Sequence, residues 1–250
     1  MTPLSTRTWP GDDPPVVLLH GAGGNRDTLG RLGEALAERG IGVLAPSLPG
    51  RGGSAGPPCA TASEAAERVA ALIEARGLGR PLVLGHSFGG AVALELGARQ
   101  GERLGGLVLV ATGARLRVHP DILRVMGEAA ASGRPAEAGD MAWRPGTDPA
   151  LREEAAEIAA RTPPETALAD WRAADAFDRM GELSAVRVPA LVVGGTEDVL
   201  TPVKYARYLA DHLPDARLEL LDGEGHMLPM ERPERLAAVV ARFRGELGAR

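Results

Sequence analysis

The feature that most constrains the fold of this sequence is a regular alternation between short apolar runs and longer segments of helical periodicity. The runs are almost entirely apolar and are bounded by Gly or Pro, which is typical of strands buried on both faces of a parallel sheet. They cover residues 16–20, 41–45, 82–85, 107–111, 190–193 and 218–221, and residues 4–9 are a candidate edge strand. The alternation predicts an α/β fold in which helices flank a mostly parallel sheet of about six to eight strands.

The segments between the runs carry apolar residues at the spacing of amphipathic helices. Leu29, Leu32 and Leu36 fall on one helix face, as the 3.6-residue period requires. Thr61 and Glu64 have the spacing of a capping box, which predicts the start of a second helix. Both signals agree with helices that cover a buried sheet.

One segment breaks the alternation. Residues 113–185 contain no convincing strand, but Asp148–Pro149 and Thr162–Pro163 each resemble an N-cap followed by Pro at the first helical position. About 70 residues between two core strands are too many for an ordinary loop. We therefore predict a helical cap at 113–185, and a core domain formed by 1–112 together with 186–250.

Composition limits the classes of function. The net charge is −5, and Lys204 is the only lysine among scattered arginines, so we expect no nucleic-acid partner. No apolar run is long enough to span a membrane and the first residues do not resemble a leader, so we expect no membrane partner and a cytoplasmic location. Cys59, the single cysteine, lies in a loop-like stretch and is interpreted as inert.

The strongest chemical signal is the stretch Gly-His-Ser-Phe-Gly-Gly at 85–90, which directly follows an apolar run and precedes a helical segment. A G-x-S-x-G match is weak alone, but a strand-to-helix context makes it a nucleophile elbow, in which a sharp turn exposes the serine hydroxyl. Gly85 and Gly89 fit the close approach of neighbouring chain. Ser87 is the predicted nucleophile.

A serine hydroxyl needs a base, and His226 is the best placed of five histidines. It lies between the last apolar run and the final helix, at the strand edge where open α/β sheets build their sites. His20 and His86 are expected to pack and hydrogen-bond locally. His119 and His212 are expected to be structural or solvated.

Asp198 is the predicted acid that orients the base. It follows an apolar run and gives the chain order Ser87, Asp198, His226, the order of the nucleophile-elbow hydrolases. Glu197 is the nearest alternative, offset by one position, and Asp222 is a second one on the loop of the histidine itself.

The tetrahedral intermediate of acyl transfer also needs donors for its oxyanion. We predict the backbone N–H of Phe88 as one donor and that of Ala22 as the other, with Gly23 as the second choice for the latter. Ala22 lies in a glycine-rich loop, 20–25, after the first long apolar run. That loop lacks the lysine and the spacing of phosphate-binding loops, which argues against a nucleotide site.

These motifs together resemble the α/β-hydrolase superfamily, in the capped branch of carboxylesterases, lactonases, C–C bond hydrolases and cofactor-free haloperoxidases. The stretches at 20–24, 47–56, 85–90, 194–202 and 225–234 follow the order and spacing of that family. The resemblance implies a Ser87–Asp198–His226 triad with oxyanion donors at Ala22 and Phe88. The chain departs from it after the second core strand, where Ser47 and Arg51 replace a common Asp and His.

The substrate pocket is harder to predict. Gly23, Trp143, Trp171, Met227 and Leu228 are the candidate lining residues, the last two because they follow His226 directly. Most other Met and Trp residues are expected in the core.

Two arginines after the fourth apolar run are candidates for binding a charged substrate. Arg115 and Arg117 could bind a substrate carboxylate. We favour a role for them at the edge of the cap instead.

We therefore predict hydrolysis of small to medium uncharged carboxylic esters through an acyl-enzyme. No cofactor and no metal are implied, because no cluster of His, Cys or Asp has ligand spacing. The expected partner is a small-molecule ester, and the chain is expected to be a monomer or homodimer. A C–C bond hydrolase, a lactonase, an acyltransferase and a non-catalytic binding or signalling protein remain alternatives.

Overall fold

The computed structural model describes residues 2–135 and 139–248, and these residues contain a seven-stranded sheet of order β1-β3-β2-β4-β5-β6-β7. All neighbouring strands are parallel except β1, which pairs antiparallel with β3. The strands are β1 (Thr6–Trp9), β2 (Asp12–Leu19), β3 (Ile41–Pro46), β4 (Leu82–His86), β5 (Gly106–Val110), β6 (Ala190–Gly195) and β7 (Ala216–Leu221). The predicted α/β class is confirmed.

Helices connect the strands. They are α1 (Gly30–Ala37), α2 (Ala62–Ala75), α3 (Phe88–Gln100), α4 (Pro120–Ser132), α5 (Pro149–Ala159), α6 (Pro164–Ala176), α7 (Val203–His212), α8 (Leu228–Glu231) and α9 (Pro233–Gly248). One of the two bonds of the predicted capping box at the start of α2 forms: Thr61 Oγ1 accepts the N–H of Glu64 at 3.1 Å. The carboxylate of Glu64 accepts the N–H of Ala60, one residue earlier than in the usual box.

The sheet is buried on both faces because successive side chains of a strand point to opposite sides. Val17 and Leu19 of β2 belong to a core cluster that includes residues of α2, α3 and α7. Val16 and Leu18 belong to a second cluster with residues of α1 and α9. The apolar runs of the sequence are therefore continuous because alternate residues of each strand pack on opposite faces of one sheet, and both faces are buried.

The two edges of the sheet differ from the expectation of strands buried throughout. Of β7, Leu221 is fully buried whereas the preceding residues of the strand are half-buried or exposed. The edge strand β1 is likewise mostly half-buried. An edge strand has a neighbour on one side only, so its residues keep contact with water.

Between β5 and β6 the chain forms α4, α5 and α6, and the described residues of this stretch add no strand to the sheet. The two ends of this stretch pair in a short antiparallel bridge between Arg115 and Asp178, with Arg179 N–H donating to Ala114 O at 2.7 Å. We call residues 113–185 the inserted segment; its residues 136–138 lie outside the described residues, as do residues 1, 249 and 250 of the predicted core. The division into a core domain and a cap stays a prediction.

One predicted helix start is displaced. Asp148 caps α5 as expected, since its carboxylate accepts the N–H of Ala150 at 2.9 Å. Thr162, however, does not cap α6, which begins at Pro164 after Pro163. The Thr162 hydroxyl faces the carbonyl of Gly24 at 3.4 Å instead, so a tertiary contact replaces the local cap.

Candidate active site

Ser87 lies at the turn between β4 and α3, in a backbone conformation that L-residues rarely adopt. Its φ is 53° and its ψ is −119°. The turn is fixed from both sides: Ser87 N–H donates to Val110 O at 3.0 Å, and the hydroxyl of Thr112 donates to Ser87 O at 2.8 Å. Strain of this kind persists only where the surroundings impose it, and it concentrates at functional sites.

The glycines around Ser87 are required by space. A Cβ at Gly85 would overlap the backbone of Gly89, and a Cβ at Gly89 would overlap the carbonyl of Leu19 on β2. A Cβ at Gly90 would lie 2.5 Å from Thr112 Cγ2. The strand, the turn and the helix therefore approach so closely that only glycine fits at these positions.

His226 and Asp198 meet at the carboxyl ends of the last two strands. His226 Nδ1 lies 2.9 Å from Asp198 Oδ2, and both residues are buried. The other carboxylate oxygen, Asp198 Oδ1, accepts the backbone N–H groups of Leu200 at 2.9 Å and Thr201 at 2.8 Å. These bonds fix the carboxylate so that it orients the imidazole.

The electrostatics favour an ionised Asp198. Burial raises the pKa of the Asp198 carboxyl, but the charge of His226 and the hydrogen bonds from His226 and Thr201 outweigh burial and lower the pKa below its ordinary range. A carboxylate that stays charged can stabilise a positive charge on the histidine during proton transfer.

The alternative acids and bases lie elsewhere. Glu197 is exposed, and Asp222 is exposed and accepts from the hydroxyl of Thr196 at 3.2 Å. His119 is the exposed N-cap of α4. His212 is exposed and stacks on a tyrosine of its own helix. Geometry therefore favours Asp198 and His226 over the alternatives.

His20 and His86 are both buried and hydrogen-bonded in the interior. Burial, assisted by the charge of Arg51, lowers the pKa of His20 to about 4. Burial, assisted by the charge of His226, lowers the pKa of His86 to about 3. His86 Nε2 lies 2.9 Å from the backbone carbonyl of His226, so it holds the loop that carries the histidine.

The predicted oxyanion donors belong to two different elements. Phe88 is the first residue of α3, so its N–H has no partner within the helix. Ala22 lies in the loop after β2 and lines the same cavity as Ser87. The N–H of Gly23, the second choice, is already used: it donates to Asp170 Oδ2 on α6 at 2.9 Å.

A cavity of about 130 Å³ lies against Ser87 and His226. No Asp, Glu, Lys or Arg side chain from the described part of the chain lines it. Its larger lining side chains are mostly apolar: Met126, Trp143, Ile158, Trp171, Met227 and Met230. A smaller cavity of about 40 Å³ shares Ala22, Ser87 and His226 with the first, and Arg117 and His119 line it as well.

Most of the predicted pocket residues line the main cavity. Gly23, Trp143, Trp171 and Met227 do so. Leu228 does not; its side chain is fully buried in the core cluster that contains residues of α9. The expectation for Leu228 is corrected because α8 begins at this residue and turns it inward.

The arginines at the edge of the inserted segment have protein partners. Arg115 and Arg117 both lie within 4 Å of the Asp178 carboxylate, and Arg117 also donates to Asp175 O at 2.9 Å. Their side chains are about half exposed. These contacts agree with a structural role at the base of the segment.

Several residues of the site were not predicted from the sequence. Thr201 donates its hydroxyl to Asp198 Oδ2 at 2.6 Å, and its position three residues after Asp198 is the only local signal for it. Thr112 contacts the elbow, and Arg51 and Asp170 contact the loop 20–25, all from segments distant in the chain. Nothing local in the sequence indicates those contacts.

Three further features concern metal-holding clusters, membrane-spanning helices and the single cysteine. Within residues 2–135 and 139–248, no group of three or more His, Cys, Asp or Glu residues could hold a metal ion, and no helix is long and apolar enough to cross a membrane. Cys59 is buried, and burial raises the pKa of its thiol to about 11. A thiol with that pKa is a poor nucleophile near neutral pH.

The chain is similar to known proteins along most of its length. Residues 16–239 match the model of the alpha/beta hydrolase family. A relative in Azorhizobium caulinodans, provisionally named as the carbamate hydrolase RutD, is 30% identical over 245 residues, which cover 93% of this chain and 92% of that protein. The pimeloyl-[acyl-carrier protein] methyl ester esterase of Nitrosomonas europaea is 28% identical, covering 91% and 94%.

Two solved structures extend the likeness to the whole fold. A thermophilic esterase from Thermogutta terrifontis superposes with a TM-score of 0.86 at 26% identity, covering 98% of this chain and 93% of the other. The enol-lactonase from Burkholderia xenovorans LB400 superposes with a TM-score of 0.86 at 25% identity, covering 96% and 95%. The chain belongs to the alpha/beta hydrolase family and is a hydrolase.

Proposed function

We propose that this hydrolase is a serine esterase that cleaves small to medium, uncharged carboxylic esters through an acyl-enzyme. Ser87 is the nucleophile, His226 the general base and Asp198 the acid that orients it. The observation that carries the proposal is the meeting of a strained serine with an Asp-paired histidine at one cavity. This arrangement activates a hydroxyl at neutral pH.

The reaction proceeds in two balanced halves. Ser87 Oγ attacks the ester carbonyl carbon while His226 Nε2 takes its proton, and the tetrahedral intermediate collapses as His226 returns the proton to the leaving alcohol. Water then attacks the acyl-enzyme, with His226 as base, and Ser87 recovers its proton as the acid leaves. Asp198 stays ionised and stabilises the imidazolium in both halves.

The oxyanion of each intermediate is stabilised by the N–H groups of Ala22 and Phe88. The use of the Gly23 N–H by Asp170 supports Ala22 as the donor from the loop. The Phe88 N–H lies at the N-terminus of α3, where the helix dipole favours negative charge. One such donor is worth about 100- to 1000-fold in rate.

The lining of the main cavity supports an uncharged substrate. Apart from Thr162, the side chains that the inserted segment contributes to it, such as Trp143, Ile158 and Trp171, are apolar or aromatic. Burying a charged group against them would cost its hydration without an ionic partner. We propose that this segment is a cap that closes the cavity over a small to medium acyl or alcohol group.

Esterases and lactonases perform the same acyl chemistry, since a lactone is a cyclic ester. The likeness to a thermophilic esterase and to an enol-lactonase supports this reaction class. A substrate panel should therefore include both open-chain and cyclic esters.

The test is the initial rate of hydrolysis of p-nitrophenyl acetate, butyrate, octanoate and laurate and of a γ-lactone, with Ser87→Ala beside the wild type. We expect turnover of the short esters that falls by about 10⁴- to 10⁶-fold in the variant, because removal of the nucleophile removes the acyl-enzyme route. The preferred chain length measures the size of the cavity.

The matched control is Ser184→Ala, the same change at an exposed serine of the inserted segment. It should leave the rate unchanged. A wild-type rate no higher than that of Ser87→Ala on every ester and lactone would contradict the proposal and favour a C–C hydrolase, an acyltransferase or a binding protein.

A further inference from the structure

The loop after β2 is bordered by a buried ion pair that joins two distant parts of the chain. Asp170 belongs to α6 of the inserted segment, and Arg51 to the loop after β3; their side chains are 1% and 0% exposed. Arg51 Nη2 donates to Asp170 Oδ1 at 2.7 Å, and Arg51 Nη1 contacts Asp170 Oδ2. This is a two-point contact between guanidinium and carboxylate, which fixes both direction and distance.

Both members of the pair also bind the backbone of the loop. The Gly23 N–H donates to Asp170 Oδ2 at 2.9 Å, and Arg51 Nη1 donates to Gly24 O at 3.3 Å. One donor and one acceptor of the loop are thus satisfied by a single ion pair. The peptide group between Ala22 and Gly23 cannot rotate without breaking the first of these bonds.

The restraint extends to the peptide group that carries the Ala22 N–H. Its carbonyl, Gly21 O, accepts the N–H of Gly24 at 3.1 Å and lies 2.9 Å from His20 Nδ1. Gly24 is the residue whose carbonyl Arg51 holds. The direction of the Ala22 N–H is therefore connected to the ion pair through one residue of backbone.

Other contacts attach the same part of the inserted segment to this loop. Asn25 Nδ2 donates to Ile158 O on α5 at 2.8 Å, and the hydroxyl of Thr162 donates to Gly24 O at 3.4 Å. The loop is consequently fixed against α5 and α6 along its length, in addition to its covalent attachment to β2.

The charges of the pair matter as much as its shape. A lone carboxylate beside the loop would repel the negative charge that develops on the oxyanion. Arg51 cancels this charge while Asp170 keeps its hydrogen bond to Gly23. The neutral pair can therefore hold the loop without opposing the reaction.

We propose that Arg51 and Asp170 are positioning residues through which the inserted segment holds the oxyanion loop in the geometry of the transition state. The inference rests on the proposed function. It makes the inserted segment a part of the catalytic framework, because small displacements of an oxyanion donor reduce the rate strongly.

The experiment is a double-mutant cycle in the intact chain with Arg51→Met, Asp170→Leu and the double variant. Replacing both charges with apolar side chains of similar size usually preserves folding, whereas removal of one leaves a buried charge. Asp170→Asn, which keeps the size of the side chain and an acceptor oxygen, is measured as a second, milder variant. Circular dichroism and thermal unfolding establish which variants are folded.

For p-nitrophenyl butyrate we expect the double variant to lose about 10- to 100-fold in kcat with KM within about twofold. The inhibition constant of butylboronic acid, which forms a tetrahedral adduct with an active serine, should rise by the same factor. Arg51→Met alone should be slower than the double variant, because an uncompensated carboxylate faces the oxyanion.

The matched control is a similar ion pair that does not touch the loop. Arg179 of the inserted segment makes a two-point contact with Glu95 on α3, at 2.9 and 2.7 Å, and both side chains are about one-tenth exposed. The double variant Arg179→Met, Glu95→Leu should keep kcat and boronate affinity within about twofold of the wild type.

The outcomes separate this inference from the proposed function. A folded Arg51–Asp170 double variant, or a folded Asp170→Asn if the former does not fold, with wild-type kcat and boronate affinity would overturn the inference alone. A higher KM at constant kcat would also overturn it, since the pair would then shape substrate binding. A wild-type chain that neither hydrolyses esters nor reacts with a fluorophosphonate at Ser87 would overturn both proposals.

Discussion

The sheet with its flanking helices and the inserted segment are stabilised by different kinds of contact. Every residue of β4 and β5 is buried, and so are ten successive residues at the start of α3. In contrast, α5 buries a single residue, Ile158, although all eleven of its residues are described. Apolar burial is most complete in the first region. The inserted segment adds Ala173, Ala174, Phe177 and Leu183 to the same core, and polar contacts also join it to the rest of the chain.

Those polar contacts are mainly made by arginine. Arg51 binds Asp170, Arg179 binds Glu95, and Arg144 lies between Glu224 and Glu231 beside the loop that carries His226. Each pair joins the inserted segment to the rest of the chain. Arginine suits this purpose because its planar group makes several directed bonds at once.

The two regions should differ in how well they tolerate substitutions. Buried strands and glycines around Ser87 tolerate little change, because close packing resists even one added methyl group. The cavity-facing side chains of the inserted segment lie outside the sheet, so they can change without disturbing its strands. The proposed reactive groups therefore lie on the rigid region, and most of the larger cavity residues lie on the inserted segment.

The largest expected difference in the free energy of unfolding comes from replacing one glycine of each region with alanine, which adds one methyl group. Gly85→Ala should destabilise the protein by about 3 kcal/mol or more, because its Cβ would overlap the backbone of Gly89. Gly127→Ala, in α4, should stabilise it by about 0.5–1 kcal/mol, since nothing lies within 4 Å of the added Cβ and alanine favours a helix. Urea unfolding measures the stability of both variants. Equal changes in the free energy of unfolding would contradict the contrast between the sheet and the inserted segment.

The second prediction is that the protein loses folding stability as the pH falls. Because His20 and His86 have folded-state pKa values of about 4 and 3 against an ordinary 6.5, their neutral forms stabilise the fold fully above pH 6.5. This stability is lost as the pH drops towards the folded values, by about 2 kcal/mol for each histidine at pH 5.

The measurement is the urea midpoint between pH 8 and pH 5 for the wild type, His86→Gln and His119→Gln. Glutamine at position 86 can keep the bond to the His226 carbonyl but does not titrate, so the pH dependence should become weaker. His119 is exposed on the inserted segment, and its variant should keep the wild-type slope. If the urea midpoint changes with pH by the same amount in all three proteins, the buried His86 contributes nothing to the pH dependence of stability.

The smallest effect concerns an exposed ion pair between the two regions. Arg31 on α1 contacts Glu154 on α5 through Nε and Nη2, with side chains 47% and 38% exposed. Glu154→Gln should cost about 0.5 kcal/mol or less at low salt and nothing measurable in 1 M NaCl, because water and salt screen the pair. Unfolding at both salt concentrations tests this, with Glu157→Gln on the same helix as control.

The sequence determined the parts of the molecule that depend on local pattern. Apolar runs located the strands to within a few residues, since burial on both faces leaves almost no polar position in the central strands such as β5 and β6. The elbow at Ser87 was recognisable because the close approach of strand, turn and helix leaves room only for glycine at positions 85, 89 and 90 around the serine. Chain order then gave His226 and Asp198, whose pairing at 2.9 Å agrees with that prediction.

Only the tertiary structure decided the contacts between residues distant in the chain. Asp170 lies 119 residues from Arg51, and neither periodicity nor capping preference indicates that they pair. Leu228 was expected at the cavity but packs in the core, and Thr162 contacts Gly24 instead of capping α6. Local signals specify elements because backbone geometry repeats every few residues, whereas the direction of a side chain across an interface depends on how whole elements pack.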